Sequence, residues 1–365
     1  MEICIDMRPA LSSATGVGVY LENLVRALAE IDDQNQYHLF SSSWKERFPE
    51  KAYAPNFRIH DQRWPVNALN YAWNHFSWPS VELLLNRNLH VTHSPTPLLM
   101  PAKRARKITT VMDLHFYLHP EDTVREIRRD YPALAKQHCL KSDAIIAISE
   151  HTKQQLVAHL GIASSRIYTI HLGADLFYAE PSLQEEITLA KNRHGIRSPY
   201  FLFVGTQEPR KNLRTLLQAF HRFKEEIQLV LAGPEGWNTG SWSDLLTERV
   251  IRTGYVSRQD LRVLYQQSIA LIMPSLEEGF GLPILEAMAA GTPVIASAIP
   301  VFEEIGGDSF LSFDPVKPQD LYAQMQALYS DSGFRQALVA KGKEYVQKFS
   351  WHDTAHKTLE IYRNV

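Results

Sequence analysis

A chain of 365 residues that is 45% hydrophobic has enough apolar side chain for two ordinary domains and is too apolar to be disordered. Its formal net charge of −2 gives no global attraction for nucleic acid. Two cysteines, Cys4 and Cys139, are too few for a disulfide framework or a cysteine-built zinc site.

The N-terminus, MEICIDMRPA, reads as a strand and not as a signal peptide, and no apolar run approaches the ~20 residues of a spanning helix. The chain is therefore expected in the cytoplasm, with at most peripheral contact on the inner face of a membrane. Short β-branched runs then alternate with amphipathic helices, the pattern of layered α/β domains with parallel sheets. In the first half, strands are expected at 2–7, 37–42, 57–61, 90–94, 108–113 and 144–149, and helices at 17–30, 121–141 and 152–160. A last strand at 166–172 leads into Gly173-Ala174-Asp175 and a polar stretch, 180–191, where the domain boundary is placed.

The second half carries YFLFVG, QLVLAG, ALIMPS and PVIAS, apolar runs of the kind buried on both faces of a parallel sheet. Helices are expected to start near Asn212, Arg258 and Pro283, with more after Lys317 and an amphipathic closing helix over 350–362. Ligands bind beyond the carboxyl ends of such strands. The loops GTQEPRKN, GPEGWN and SLEEGFG, entered at Gly205, Gly233 and Ser275, are therefore expected to share one rim.

The stretch EEGFGLPILE, from Glu277, is the most informative. Gly279 and Gly281 let the backbone close around a ligand, and Pro283 is preorganised for a helix start. A helix beginning there aims free N–H groups and its positive dipole end at an anion such as phosphate. Glu278 then lies in the loop and Glu286 about one turn inside the helix, facing different parts of one bound molecule. Arg210 and Lys211 bring two positive charges to the same rim, as a fork and a point charge suited to a diphosphate. No Asp-x-Asp triplet and no His/Cys cluster has metal-ligand spacing, so no metal and no cofactor are expected.

Three weaker constellations remain. Gly16 and Gly18 follow the first strand and open a helix, where a phosphate or sugar could approach the backbone, although the spacing is not GxGxxG. Asp113 and His115 stand just past a buried strand, in place for a cleft-facing acid or base, and Pro120 is expected to start a helix behind them. Trp64, Tyr71, Trp73, Phe76 and Trp78 precede the basic run KRARK at 103–107. Aromatics beside basic residues suit a membrane interface with anionic headgroups, and equally a packed helical insertion.

With these residues in view, EEGFGLPILEAMAAGTPVIAS strongly resembles the donor-site signature of glycosyltransferase family 4, retaining enzymes of the GT-B fold. The resemblance covers nearly the whole chain. FVGTQEPRKNLRTLLQAF is similar to the family's phosphate loop, TGYVSRQDLRVLY to its nucleobase loop, TGVGVYLENL to its N-terminal glycine loop, and AIIAISEHTKQQL with HLGAD to the end of its first domain. FSWHDTAHKTLEIY resembles its closing helix. What the resemblance implies is an α/β GT-B architecture of two Rossmann-like domains facing across a central cleft. Residues 1–178 would bind the acceptor, 179–348 the nucleotide sugar, and 349–365 would pack back on the first domain. Lys211 and Arg210 would hold the donor diphosphate, Glu278 the transferred sugar and Glu286 the ribose. The backbone at Tyr255 and Val256 would meet the base, and amides at Phe280, Gly281 and Leu282 the phosphates or sugar. Thr206 stands where many members have arginine, and Met112 where many have histidine.

The expected reaction is transfer of a hexose, with mannose as the guess, from a GDP- or UDP-linked donor. The receiver is a hydroxyl of a saccharide or lipid-linked saccharide in polysaccharide synthesis, with retention at the anomeric carbon. No nucleic-acid partner is expected. The other readings are a sugar-nucleotide epimerase or phosphorylase on the same fold, and a non-catalytic nucleotide-sugar-binding partner.

Overall fold

The computed structural model describes residues 1–11, 16–48, 53–123, 125–197, 199–237, 240 and 242–365. Thr15, which opens the glycine-loop motif, and Asn238, which ends GPEGWN, lie outside the described residues. The chain divides into unit 1, Met1–Gly173 with Ser350–Val365, and unit 2, Ala174–Phe349.

Unit 1 is built on β1 (Glu2–Asp6), β2 (Gln36–Ser42), β3 (Phe57–Gln62), β4 (Val91–Ser94), β5 (Arg106–Val111), β6 (Ala144–Ala147) and β7 (Ile167–Thr169), in the order β3-β2-β1-β4-β5-β6-β7. Every pairing is parallel. Central strands such as β1 and β6 are buried on both faces, as a sheet covered by helices requires. The helices are α1 (Gly16–Ile31), α2 (Val66–Phe76), α3 (Val81–Leu85), α4 (His115–Leu118), α5 (Arg125–Lys141) and α6 (Glu150–Leu160).

Unit 2 begins with α7 (Gln184–His194) and carries β8 (Tyr200–Val204), β9 (Gln228–Ala232), β10 (Val250–Gly254), β11 (Leu271–Met273), β12 (Val294–Ser297) and β13 (Leu311–Phe313). Their order is β10-β9-β8-β11-β12-β13, again parallel throughout. Its other helices are α8 (Leu213–Phe220), α9 (Arg258–Gln267), α10 (Leu282–Ala290), α11 (Pro300–Gly306), α12 (Pro318–Ser330) and α13 (Ser332–Tyr345). Phe201, Phe203, Leu216, Phe220 and Leu231 centre a core between the sheet and α8 and α12. The closing helix α14 (Trp351–Asn364) packs on α1 within unit 1. Thr354 Oγ1 donates to the His171 carbonyl at 2.8 Å, and His93 and Thr110 join the hydroxyl of Tyr362 in a buried hydrogen-bonded chain.

The structure departs from the sequence reading where burial is partial. The chain divides after Gly173 and not after residue 178. Tyr178 packs edge-on against Tyr265 at 5.4 Å, and its carbonyl accepts from Gln266 Nε2 at 2.9 Å, so this turn belongs to unit 2. The polar stretch taken as a boundary is the helix α7. Glu186 accepts from the Leu183 N–H at 2.8 Å at its start, Gly195 closes its end at φ 69°, and only Ala190 among its residues is buried. β10 and β13 have no continuous apolar run because they are the two sheet edges, covered less completely than the strands between them. Pro120 starts only a 3-10 turn, Pro120–Asp122, ahead of α5.

Candidate active site

Each sheet reverses direction of build-up once. In unit 2 this switch point lies between β8 and β11, and in such sheets the crevice beyond the carboxyl ends at the switch is where ligands bind. The loops after β10, β9, β8 and β11 follow one another along this edge, bringing Tyr255, Val256, Thr206, Arg210, Lys211 and Glu278 to one rim. Close packing holds it together. A side chain at Gly233, which has φ 136°, would place its Cβ 2.2 Å from the Gly205 carbonyl oxygen.

The loop after β8 and the loop after β11 are tied directly. The Leu276 N–H donates to the Arg210 carbonyl at 2.8 Å, Arg210 Nη1 donates to the Glu277 carbonyl at 3.1 Å, and Asn212 Nδ2 donates to the Pro274 carbonyl at 3.0 Å. Asn212 accepts a left-handed φ of 54°, which lets the 3-10 turn Pro209–Lys211 run into α8.

At this junction Lys211 and Glu278 are buried, 8% and 7% exposed. Lys211 Nζ donates to Glu278 Oε1, Arg210 Nη1 to Glu278 Oε2 at 2.5 Å, and Ser275 Oγ to Glu278 Oε1 at 2.8 Å. Arg210 Nε meets Glu208 Oε1 at 2.5 Å. With Glu208 included, the cluster is formally neutral. Burial alone would push the Glu278 carboxyl up, but the charges of Arg210 and then Lys211 outweigh it and hold the group at about 2. Sequence reading missed Glu208, which counting the charges of GTQEPRKN would have pointed to, and named Ser275 only as a loop entry and not as a partner of Glu278.

Above the cluster, α10 begins at Leu282 with Gly281 as its N-cap at φ 109° and Pro283 in its first turn. A Cβ on Gly281 would meet the Phe302 ring at 2.8 Å. Phe280 is buried. Glu286 sits in the fifth position of α10, where its carboxylate accepts from the Tyr265 hydroxyl at 2.7 Å. Burial raises it to about 7, opposed by the Tyr265 hydrogen bond and reinforced by Asp175. Glu278 and Glu286 thus belong to separate hydrogen-bonded sets, one ionised and one on the edge of protonation at neutral pH.

In unit 1, Gly16 and Gly18 form the first turn of α1, Gly16 exposed and Gly18 buried. Asp113 follows β5, and its Oδ1 accepts from the His115 N–H at 3.1 Å, so it braces the turn into α4 while His115 is buried in that helix. At the switch between β1 and β4, Asp6 receives a two-point pair from Arg8, Nε to Oδ1 at 2.9 Å and Nη2 to Oδ2 at 2.7 Å. Arg8 also donates to Asn70 at 2.7 Å and stacks 4.3 Å from the Trp73 ring centroid. The sequence reading did not single out this group. Among the described residues, His119, Glu121 and Asp122 bring ligand-type atoms within 4.8 Å of one another, at a largely exposed turn.

Two Rossmann-like units, ordered 3-2-1-4-5-6-7 and 3-2-1-4-5-6 about a switch point, place the protein in the GT-B class of glycosyltransferases. Residues 14–177 match the family model described as Glycosyltransferase Family 4, and residues 184–345 the one described as Glycosyl transferases group 1. The chain belongs to the family 4 glycosyltransferases. It is 28% identical over 391 aligned residues, 100% of both chains, to O-antigen chain mannosyltransferase B of Escherichia coli. Among solved structures, sucrose-phosphate synthase from Thermosynechococcus elongatus has a TM-score of 0.80 at 21% identity, covering 100% of this chain and 98% of the other. Anabaena HepE in complex with UDP-glucose has a TM-score of 0.72 at 16% identity, with 100% of both chains covered.

Proposed function

We propose that the protein transfers mannose, with retention, from a nucleotide-diphosphate donor to a hydroxyl of a saccharide or lipid-linked saccharide in O-antigen-type polysaccharide synthesis. The reading rests above all on the buried Glu208–Arg210–Lys211–Glu278 cluster at the switch point of unit 2, under the start of α10. The full-length likeness to an O-antigen chain mannosyltransferase supports mannose and the acceptor class. The UDP-glucose held by HepE, of the same fold, supports a nucleotide-sugar donor.

In this mechanism Arg210 and Lys211 share their remaining N–H donors with the diphosphate while staying anchored on Glu278. Because the cluster is neutral beforehand, the amides of Gly281 and Leu282 and the dipole of α10 supply the rest of the stabilisation for the departing charge. Glu278, fixed and ionised, presents carboxylate oxygen to hydroxyls of the transferred sugar. Glu286, poised near neutrality, meets the ribose, the backbone at Tyr255 and Val256 meets the base, and Thr206 lines the phosphate path. Gly16 and Gly18, in the first turn of α1, let a phosphate or sugar approach the backbone of unit 1. Asp113, whose Oδ2 accepts from no described residue, takes the acceptor proton, with His115 as its neighbour. No metal or cofactor takes part, so transfer should persist in EDTA; a loss that added divalent ion restores would overturn that element.

The decisive experiment is thermal-shift screening of GDP-, UDP- and TDP-sugars, followed by transfer from the stabilising donor and NMR assignment of the product anomer. Stabilisation by GDP-mannose with an α-linked product from the α-donor is expected. Binding without turnover on any acceptor would favour the non-catalytic reading, and an inverted product would overturn retention. We propose peripheral contact of unit 1 with a membrane surface, a reading supported by the exposed rings of Phe76 and Trp78; none of the described helices is long and apolar enough to cross a membrane.

A further inference from the structure

Unit 1 contains a cavity of about 180 Å³ walled by α2, the segment after β4 and the end of α5. Trp73, Leu99, Met100 and Pro101 make it apolar, while Lys103, Lys107 and Lys141 stand on its lining. Lys107 is the second residue of β5 and Lys141 ends α5 just before β6, so the lysines lie toward the amino edge of the sheet. Asp113 stands past the opposite, carboxyl, edge.

Two independent features mark the cavity as built for an occupant. Trp73 is 2% exposed, yet its indole N–H has no hydrogen-bond acceptor. Buried donors are rarely left so, because nothing repays their desolvation. The second feature is charge. Lys107 approaches Asp143 at 3.9 Å, but no described residue pairs with the ammonium of Lys103 or Lys141. The loop bearing Lys103 is nevertheless fixed, since Glu82 Oε1 accepts from the N–H groups of Lys103 at 2.9 Å and Arg104 at 3.0 Å. His138, also on the lining, accepts the Leu99 N–H on Nδ1 at 3.0 Å. Burial, then Lys141, keep its ring neutral, so Nε2 carries a proton.

The surroundings are apolar and outward-facing. Phe76 and Trp78, 68% and 60% exposed, flank Ser77 on the cavity lining. Orphan donors and unpaired cations over an apolar floor, beside exposed aromatic rings, match an amphiphile with a phosphate head.

We propose that this cavity receives the phosphate headgroup of an anionic phospholipid, with Trp73 and the lysines on its oxygens and Phe76 and Trp78 in the membrane interface. The inference rests on the peripheral contact proposed above and names the residues that make it.

The test is flotation of the full chain with phosphatidylcholine vesicles, with and without phosphatidylglycerol, and with inorganic phosphate as competitor. Binding to the anionic vesicles alone is expected, on the order of 30-fold weaker for Lys103→Ala with Lys141→Ala. Ala102→Trp, which fills the cavity, should weaken it about tenfold or more, and Trp73→Phe less. Transfer to a water-soluble acceptor reports that each variant is folded. If the cavity variants float like the wild type while Phe76→Ser with Trp78→Ser does not, the pocket is refuted and the membrane contact stands. Absence of flotation by the wild type refutes the contact and the pocket together. Displacement by millimolar phosphate at constant ionic strength would reassign the cavity to a free anion.

Discussion

The six strands of unit 2 repeat the order of the first six of unit 1, yet the buried polar groups of the two units differ in extent and kind. In unit 2 the switch point holds ionised side chains in a tight, formally neutral knot: Glu208, Arg210, Lys211 and Glu278. In unit 1 the switch point holds the ion pair Asp6–Arg8, and the buried network around His93 is uncharged. His93 bonds Tyr362 at 2.6 Å and Thr110 at 2.7 Å, and Tyr20 reaches the same threonine at 3.1 Å. Burial holds His93 at about 3, so it is neutral. A buried ion cluster adds little stability relative to apolar packing and costs much when broken, so its place beyond the carboxyl ends of the strands supports the proposed role on a charged substrate. A neutral network instead seats α14 on the sheet and fixes its register.

The strongest way to break this contrast is at the ions. Lys211→Ala and Glu278→Ala should each lower kcat/KM on the order of a hundredfold, measured with a saturating acceptor. Glu278→Ala should also lower stability by roughly 3 kcal/mol, because it strands the buried Lys211 and takes one of two carboxylates from Arg210. Near-full activity in either variant would sink the site. Asp113→Asn is the corresponding probe of unit 1. A loss of about a hundredfold is expected for a proton acceptor, with little change in melting temperature, whereas a turn-bracing role alone would leave the rate within a few-fold.

Tyr362→Phe sharpens the other side of the comparison. Loss of one buried hydrogen bond to His93 should cost about 1 to 2 kcal/mol in chemical denaturation and leave kcat unchanged. A rate effect without a stability effect would move His93 out of the scaffold.

The last probe is pH. Glu286 is raised from 4.5 to about 7 in the fold, so the native state binds the extra proton and stability falls as pH rises from 4.5 through 7. His93 is lowered from 6.5 to about 3, so its contribution is present above 6.5 and is lost as pH falls toward 3. Glu286→Gln should therefore remove the decline with rising pH and keep the acid-side decline. A melting profile that is unchanged by Glu286→Gln would refute the shifted carboxyl.

Much of this was legible in the residues. The seven strands of unit 1 and four of those in unit 2 were legible, the central ones because parallel strands covered on both faces must be apolar. β10 and β13 escaped because an edge strand needs no such run, and α7 because a helix with only Ala190 buried carries almost no hydrophobic stripe. Gly281 and Pro283 mark the turn into α10 for reasons of backbone geometry that act locally, so the sequence shows them directly.

What the sequence determined by itself was the sheet-forming pattern, the family signature and the residue types at the rim: the cations after β8 and the acids around α10. Local propensity and periodicity carry that information along the chain. Only the tertiary structure decided how those charges are satisfied. Glu278 is spent on Arg210 and Lys211, Arg210 is shared with Glu208, Glu286 turns to Tyr265, and the Trp73 N–H is left without an acceptor. Pairing, burial and the pKa shifts that follow depend in part on neighbours as far as 68 positions away in sequence, brought within 3 Å only when parallel strands align their ends.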